Sequence, residues 1–124
     1  MIITAKATHI NHSPRKVNLV AASIVGLPAS KALEKLQFIV KRASSPVTKV
    51  LKQAIANATN NYKVEAKSLI VEQAFATKGR TLKRGLFGGR MHYKPFERTA
   101  SHLTILLKSA APVNKKVSAN GAKS

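Results

Sequence analysis

Ile3, Ala5 and Ala7 alternate with Thr4, Lys6 and Thr8, the two-residue period of a strand with one buried face. Ser13-Pro14 follows and predicts a helix start. The serine hydroxyl can accept from first-turn amides, and proline loses no hydrogen bond there. Val17, Val20, Ala21 and Ile24 then recur at helical spacing, and Gly26 offers a left-handed stop. Pro28 to Phe38 predicts a second short helix, with Ala29, Ala32, Leu33 and Leu36 facing inward. A third, longer helix is predicted over 41–60, its stripe being Val47, Val50, Leu51, Ala54 and Ala58. Pro46 either starts that helix or lies in its first turn. Asn60-Asn61 tolerate the left-handed conformation and should end it.

Leu69, Val71 and Phe75 mark a second strand, in which Gln73 interrupts the apolar face. Leu103, Ile105 and Leu107 alternate with His102, Thr104 and Lys108 as a third. Chain extended from Leu69 to Phe87 reaches roughly 60 Å at ~3.3 Å per residue. A body this small has a radius of gyration of only about 12–13 Å. The pattern therefore predicts an α+β fold, three helices packed on a small three-stranded antiparallel sheet, with a long protruding β-hairpin. One domain is expected over 1–108, including an extended hairpin at 78–99. A disordered basic tail is expected over 109–124, where Lys115, Lys116 and Lys123 stand among Ala, Pro, Asn, Ser and Gly. A ribbon without a supporting layer is marginal in water, so the arm should become ordered on a partner.

Charge says what kind of partner. Among 124 residues, Lys plus Arg total 22 against 4 Glu and no Asp, a net charge of +18. That excess is far beyond what solubility needs and points to nucleic acid, with anionic membrane a weaker fit. No cysteine is present, which excludes disulfides, thiolate metal sites and a Cys nucleophile. The apolar runs are too short to span a membrane, and the first residues carry no signal-peptide core.

The charge is concentrated at 78–98, where Lys78, Arg80, Lys83, Arg84, Arg90, Lys94 and Arg98 face one anion, Glu97. Most charge runs are only solvated surface. Here three details favour RNA or DNA contact. Phe87, Tyr93 and Phe96 are half of the chain's aromatics, placed where no core shelters them and where unpaired bases could stack. Gly79, Gly85, Gly88 and Gly89 permit close backbone approach to a sugar–phosphate chain. Acids are almost absent. Arg15 and Lys16 at the first helix start oppose its dipole by a few tenths of a kcal/mol, about the size that a bound phosphate reverses. Lys41, Arg42, Lys49 and Lys52 suit a second basic face or a solvated one equally.

His9, His12, His92 and His102 invite a nuclease mechanism, but nothing in the sequence pairs two of them and no carboxylate orients them. They are expected to be structural or phosphate-contacting. No P-loop, dinucleotide fingerprint or nucleophile motif occurs, so no enzyme, cofactor or metal is expected. The rival classes are a DNA-bending architectural protein, which would wedge apolar side chains between base steps, and a small basic RNase.

Several segments together resemble the universal large-subunit ribosomal protein twenty-two family. They are Ser13-Pro14-Arg15-Lys16-Val17, Ala54-Ile55-Ala56-Asn57-Ala58, Leu82-Lys83-Arg84, and Arg98-Thr99-Ala100-Ser101-His102-Leu103, in order across about residues 2–108. The resemblance implies a non-catalytic constituent of the large ribosomal subunit that binds large-subunit rRNA and aids its assembly. It also implies a hairpin lining the nascent-peptide exit tunnel, and neighbouring ribosomal proteins and the nascent polypeptide as further partners. The protein would be a monomer within the ribosome, with no membrane partner. The apparent lack of a leader favours a cytoplasmic ribosome over an organelle one.

By position, the rRNA-binding candidates are Arg15, Lys16, Lys78, Arg80, Lys83, Arg84, Arg90, His92, Tyr93, Lys94, Arg98 and His102. Gly85, Leu86, Phe87, Gly88, Gly89, Arg90 and Met91 correspond to the tunnel-lining tip. The family's tip carries a Pro-Arg-Ala-x-Gly-Arg stretch. Phe87-Gly88-Gly89-Arg90-Met91-His92 stands there instead, with less charge, and Ala100 is an extra residue before Ser101.

Overall fold

The computed structural model describes residues 1–110. In chain order these form β1 (Ile2–Ile10), α1 (Pro14–Ala22), α2 (Ala29–Phe38), α3 (Ser44–Tyr62), β2 (Leu69–Phe87) and β3 (Tyr93–Ser109). The sheet is antiparallel with order β1-β3-β2, so the last strand inserts between the first two. The architecture is the α+β arrangement of three helices and three strands that the pattern predicts. Of the expected tail, Ser109 closes β3 opposite Leu69, and the Ala110 amide donates to the Ser68 carbonyl. The remainder, 111–124, lies outside the described residues.

The helices follow their apolar stripes. Val17, Val20, Ala21 and Ile24 are buried, as are Ala29, Ala32 and Leu36, and then Val47, Val50, Leu51, Ala54 and Ala58. The ends differ from expectation in three places. At α1 the Ser13 hydroxyl makes no capping bond; its backbone carbonyl accepts from the Lys16 and Val17 amides instead. Lys41 to Ala43 form a turn closed by the Ser44 amide on the Lys41 carbonyl, so α3 starts at Ser44 and Pro46 sits in its first turn.

The third difference is the end of α3. The helix runs past Asn60 and Asn61, and the left-handed residue is Lys63, at φ 54°. Next to it Val64 is buried, and its amide reaches back to the Ala58 carbonyl at 3.2 Å. Burying that apolar residue sets where the helix stops, ahead of the local preference of asparagine.

Three strands contribute aligned core residues: Ile3, Leu107 and Val71 in one row, Ala5, Ile105 and Ala74 in the next, Ala7, Leu103 and Ala76 in the third. Keeping those rows aligned requires a bulge in β2, where the register slips between Val71 and Gln73. One extra residue switches which side chains face the core. Ala76 is consequently buried and Phe75, expected inward, is exposed.

β2 is an edge strand, and its outward backbone groups are capped by the body. The Gly26 amide donates to the Val71 carbonyl at 2.8 Å, and the Val71 amide to the Leu27 carbonyl at 3.0 Å. Gly26 makes this approach at φ +81°, a conformation glycine adopts without strain. Farther along, the Asn18 carboxamide spans both groups of one residue. Its Nδ2 donates to the Ala76 carbonyl at 3.1 Å and its Oδ1 accepts from the Ala76 amide at 2.6 Å. A side chain of α1 thereby ends the exposed edge where β2 leaves the body.

Candidate nucleic-acid interface

Between Ala76 on β2 and Ser101 on β3 no residue is buried, yet the strands remain paired from Thr81–Thr99 to Phe87–Tyr93. All seven cations of 78–98 are exposed. The register keeps them from directly opposing one another: Arg98 faces Leu82, Arg84 faces Phe96, Lys94 faces Leu86, and Lys83 faces Glu97. Directly opposed like charges would destabilise the pairing. Among the described residues no ion pair joins any lysine or arginine to a glutamate, Glu97 included. The one side-chain bond these cations make is from the Arg84 guanidinium to the Lys83 carbonyl. Among the described residues no anion of the chain pairs with them.

At the tip, the Gly88 amide donates to the His92 carbonyl at 2.7 Å around a tight turn over Gly89–Met91. Arg90 and Met91 both lie in the left-handed region, at φ 57° and 58°. For side-chain-bearing residues that conformation costs about 1–3 kcal/mol each. Phe87 and Tyr93 were expected to stand unsheltered. They meet edge to face, ring centroids 5.8 Å apart, in a pair that still leaves Phe87 82% exposed. A Cβ on Gly85 would collide with the Tyr93 ring. That glycine therefore makes room for an aromatic from the opposite strand.

At the root of the ladder the fold assembles what the sequence keeps apart. A cleft of about 600 Å³ opens between the end of β1, the start of α1 and the arm. Lys16 enters from the helix, Arg80 and Arg98 from the two strands, and Glu97 and Thr99 beside them. The end of β1 supplies His9 and the turn into α1 supplies Asn11 and Ser13; Leu82 and Ala100 give apolar surface.

His9, at φ 56° beside a bulge in β1, donates its amide to His102 Nδ1 at 3.2 Å, and the two rings cross at 83°. That acceptor role leaves Nδ1 without a proton. Half-buried His102 is thus engaged within the body. Arg15 is exposed on α1 outside the cleft lining, His12 is half-buried in the turn, and His92 is exposed at the tip. Among the described residues no cluster of His and Glu could hold a metal ion.

Asn11, Thr99 and Glu97 were not among the rRNA-binding candidates drawn from the sequence. Asn11 lies in the turn just before Lys16, whereas the packing of α1 beside the paired β2 and β3, invisible in composition or periodicity, brings Thr99 and Glu97 to it. No described helix is long and apolar enough to cross a membrane.

The family model described as "Ribosomal protein L22p/L17e" matches residues 5–108. A protein of Sinorhizobium medicae named "Large ribosomal subunit protein uL22" is 43% identical over 104 residues, covering 84% of this chain and 81% of the relative. A protein of the same name from a Bradyrhizobium species is 45% identical over 108 residues, covering 84% and 82%. Another, from Mesorhizobium japonicum, is 42% identical over 99 residues, covering 80% and 77%.

Proposed function

This chain belongs to the ribosomal protein L22p/L17e family, and from that premise we propose that it binds large-subunit rRNA through the α1 start, the cleft and the β2–β3 arm. As a member it is a structural, non-catalytic protein of the large ribosomal subunit, working in the bacterial cytoplasmic ribosome. The observation that supports the finer reading is the set of seven exposed arm cations with no internal counter-ion, continued by Lys16 at the body. Each such charge that meets a phosphate releases condensed counter-ions, which favours association and helps to hold folded rRNA together during assembly. The arm carries its tip, Gly85 to Met91, away from the buried core. In a ribosome it would reach the wall of the peptide exit tunnel while the body docks beside neighbouring ribosomal proteins as a monomer. The comparisons lend no support to a DNA-bending role.

Two measurements test this. Replacing Arg84, Arg90 and Lys94 together by Glu, none of which faces another charge in the ladder, should abolish co-sedimentation of the full chain with large-subunit rRNA while leaving thermal stability unchanged. Retained binding would remove the arm from the interface. A photoreactive group at Met91 should cross-link to a stalled nascent chain; labelling of rRNA alone would argue against tunnel lining.

A further inference from the structure

The cleft at the root of the arm contains a feature that phosphate binding does not explain. Lys16, Arg80 and Arg98 line the cleft, and so does Glu97. The whole chain has only four carboxylate side chains. An anion beside three phosphate-seeking cations weakens their hold on a backbone. It is not there as a counter-ion either, because Glu97 forms no ion pair, even with Lys83 directly opposite in register. A carboxylate in such a place is useful when the ligand brings hydrogen-bond donors along with its phosphates.

A nucleotide does both. A cleft of about 600 Å³ has room for one unpaired base, with Leu82 and Ala100 offering apolar contact. Among the bases, guanine alone presents two parallel donors, N1–H and N2–H, matched to the two oxygens of a carboxylate. Adenine and cytosine present one amino group, uracil one ring N–H. We infer that the cleft takes an unpaired guanine of RNA, with Glu97 accepting from its N1–H and N2–H and Lys16, Arg80 and Arg98 holding the flanking phosphates. This inference rests on the RNA-binding reading above.

The test uses the full chain and four stem-loop RNAs that differ only in one unpaired nucleotide, G, A, C or U. Affinities are measured by fluorescence anisotropy at one fixed salt concentration. The wild-type chain should prefer the G form by about tenfold or more. Glu97→Gln keeps one acceptor and removes the charge, so binding of the G form should weaken while the other three tighten by a few-fold. Replacing the guanine by inosine, which lacks the N2 amino group, should give an intermediate affinity for the wild type. Equal wild-type affinity for all four RNAs would overturn the inference and leave the RNA-binding reading standing. So would a Glu97→Gln variant that raises all four affinities by one common factor, since that is the signature of simple charge repulsion. Failure to bind any of the four would overturn both readings. Glu97 is exposed, so the variant should keep the wild-type Tm.

Discussion

Asn18→Ala tests the clamp that fastens α1 to the point where β2 leaves the body. Two hydrogen bonds are lost, from Nδ2 to the Ala76 carbonyl at 3.1 Å and from the Ala76 amide to Oδ1 at 2.6 Å. Such bonds contribute about 0.5–1.5 kcal/mol each, and more where the partner is left dry. Ala76 is only 8% exposed, which pushes the pair toward about 2–3 kcal/mol. Alanine recovers roughly 0.5 kcal/mol of helix propensity on α1. The net expected loss is about 1.5–2.5 kcal/mol, or roughly 6–12 °C in Tm for a domain of this size. Asn18→Asp should be no better, since it keeps an acceptor for the amide but sets a carboxylate oxygen against the Ala76 carbonyl. Urea melts give the free energy, and hydrogen exchange at the Ala76 amide reports the clamp locally. A change under about 0.5 kcal/mol with undiminished Ala76 protection would show that the carboxamide is idle.

Ile105→Ala removes a fully buried side chain from the central strand, between Ala5 and Ala74, which are too small to close the gap. Thermal melts should show a loss in the upper half of about 2–5 kcal/mol. Ser101→Ala should instead be neutral or stabilising by up to about 1 kcal/mol, because the Ser101 hydroxyl is buried without a hydrogen-bond partner; a clear drop in Tm would contradict this. Gly85→Ala should swing the Tyr93 ring off the opposite strand, visible as changed ring-current shifts of Phe87 and Tyr93 in NMR spectra while the Tm of the body stays constant. Lys16→Ala should reduce the slope of log affinity against log salt by about 0.7–0.9, one phosphate contact, and weaken binding to all RNA sequences alike. An unchanged slope would place Lys16 outside the interface.

Much of this protein could be read from residue spacing. The stripes Val17–Val20–Ala21–Ile24 and Val47–Val50–Leu51–Ala54–Ala58 name their buried faces because a helix returns each side chain to the same side every three or four residues. Ile3 and Ala5, and Leu103, Ile105 and Leu107, do the same with the period of a strand. The crowding of cations at 78–98, set against four glutamates in the whole chain, already named a polyanion as partner.

What spacing could not supply was anything that depends on one element meeting another. The bulge after Val71 turns Phe75 outward and Ala76 inward, since three strands must keep their core rows level; no local signal marks it. Burial of Val64 outweighs two asparagines in ending α3. Asn18 reads as an ordinary polar helix position until Ala76 lies beside it. The cleft is the largest such case, because Lys16, Arg80 and Glu97 become neighbours only when α1 packs beside the paired β2 and β3. Periodicity reports which way a side chain points from its own backbone, whereas proximity across the sheet is a property of how the whole chain packs.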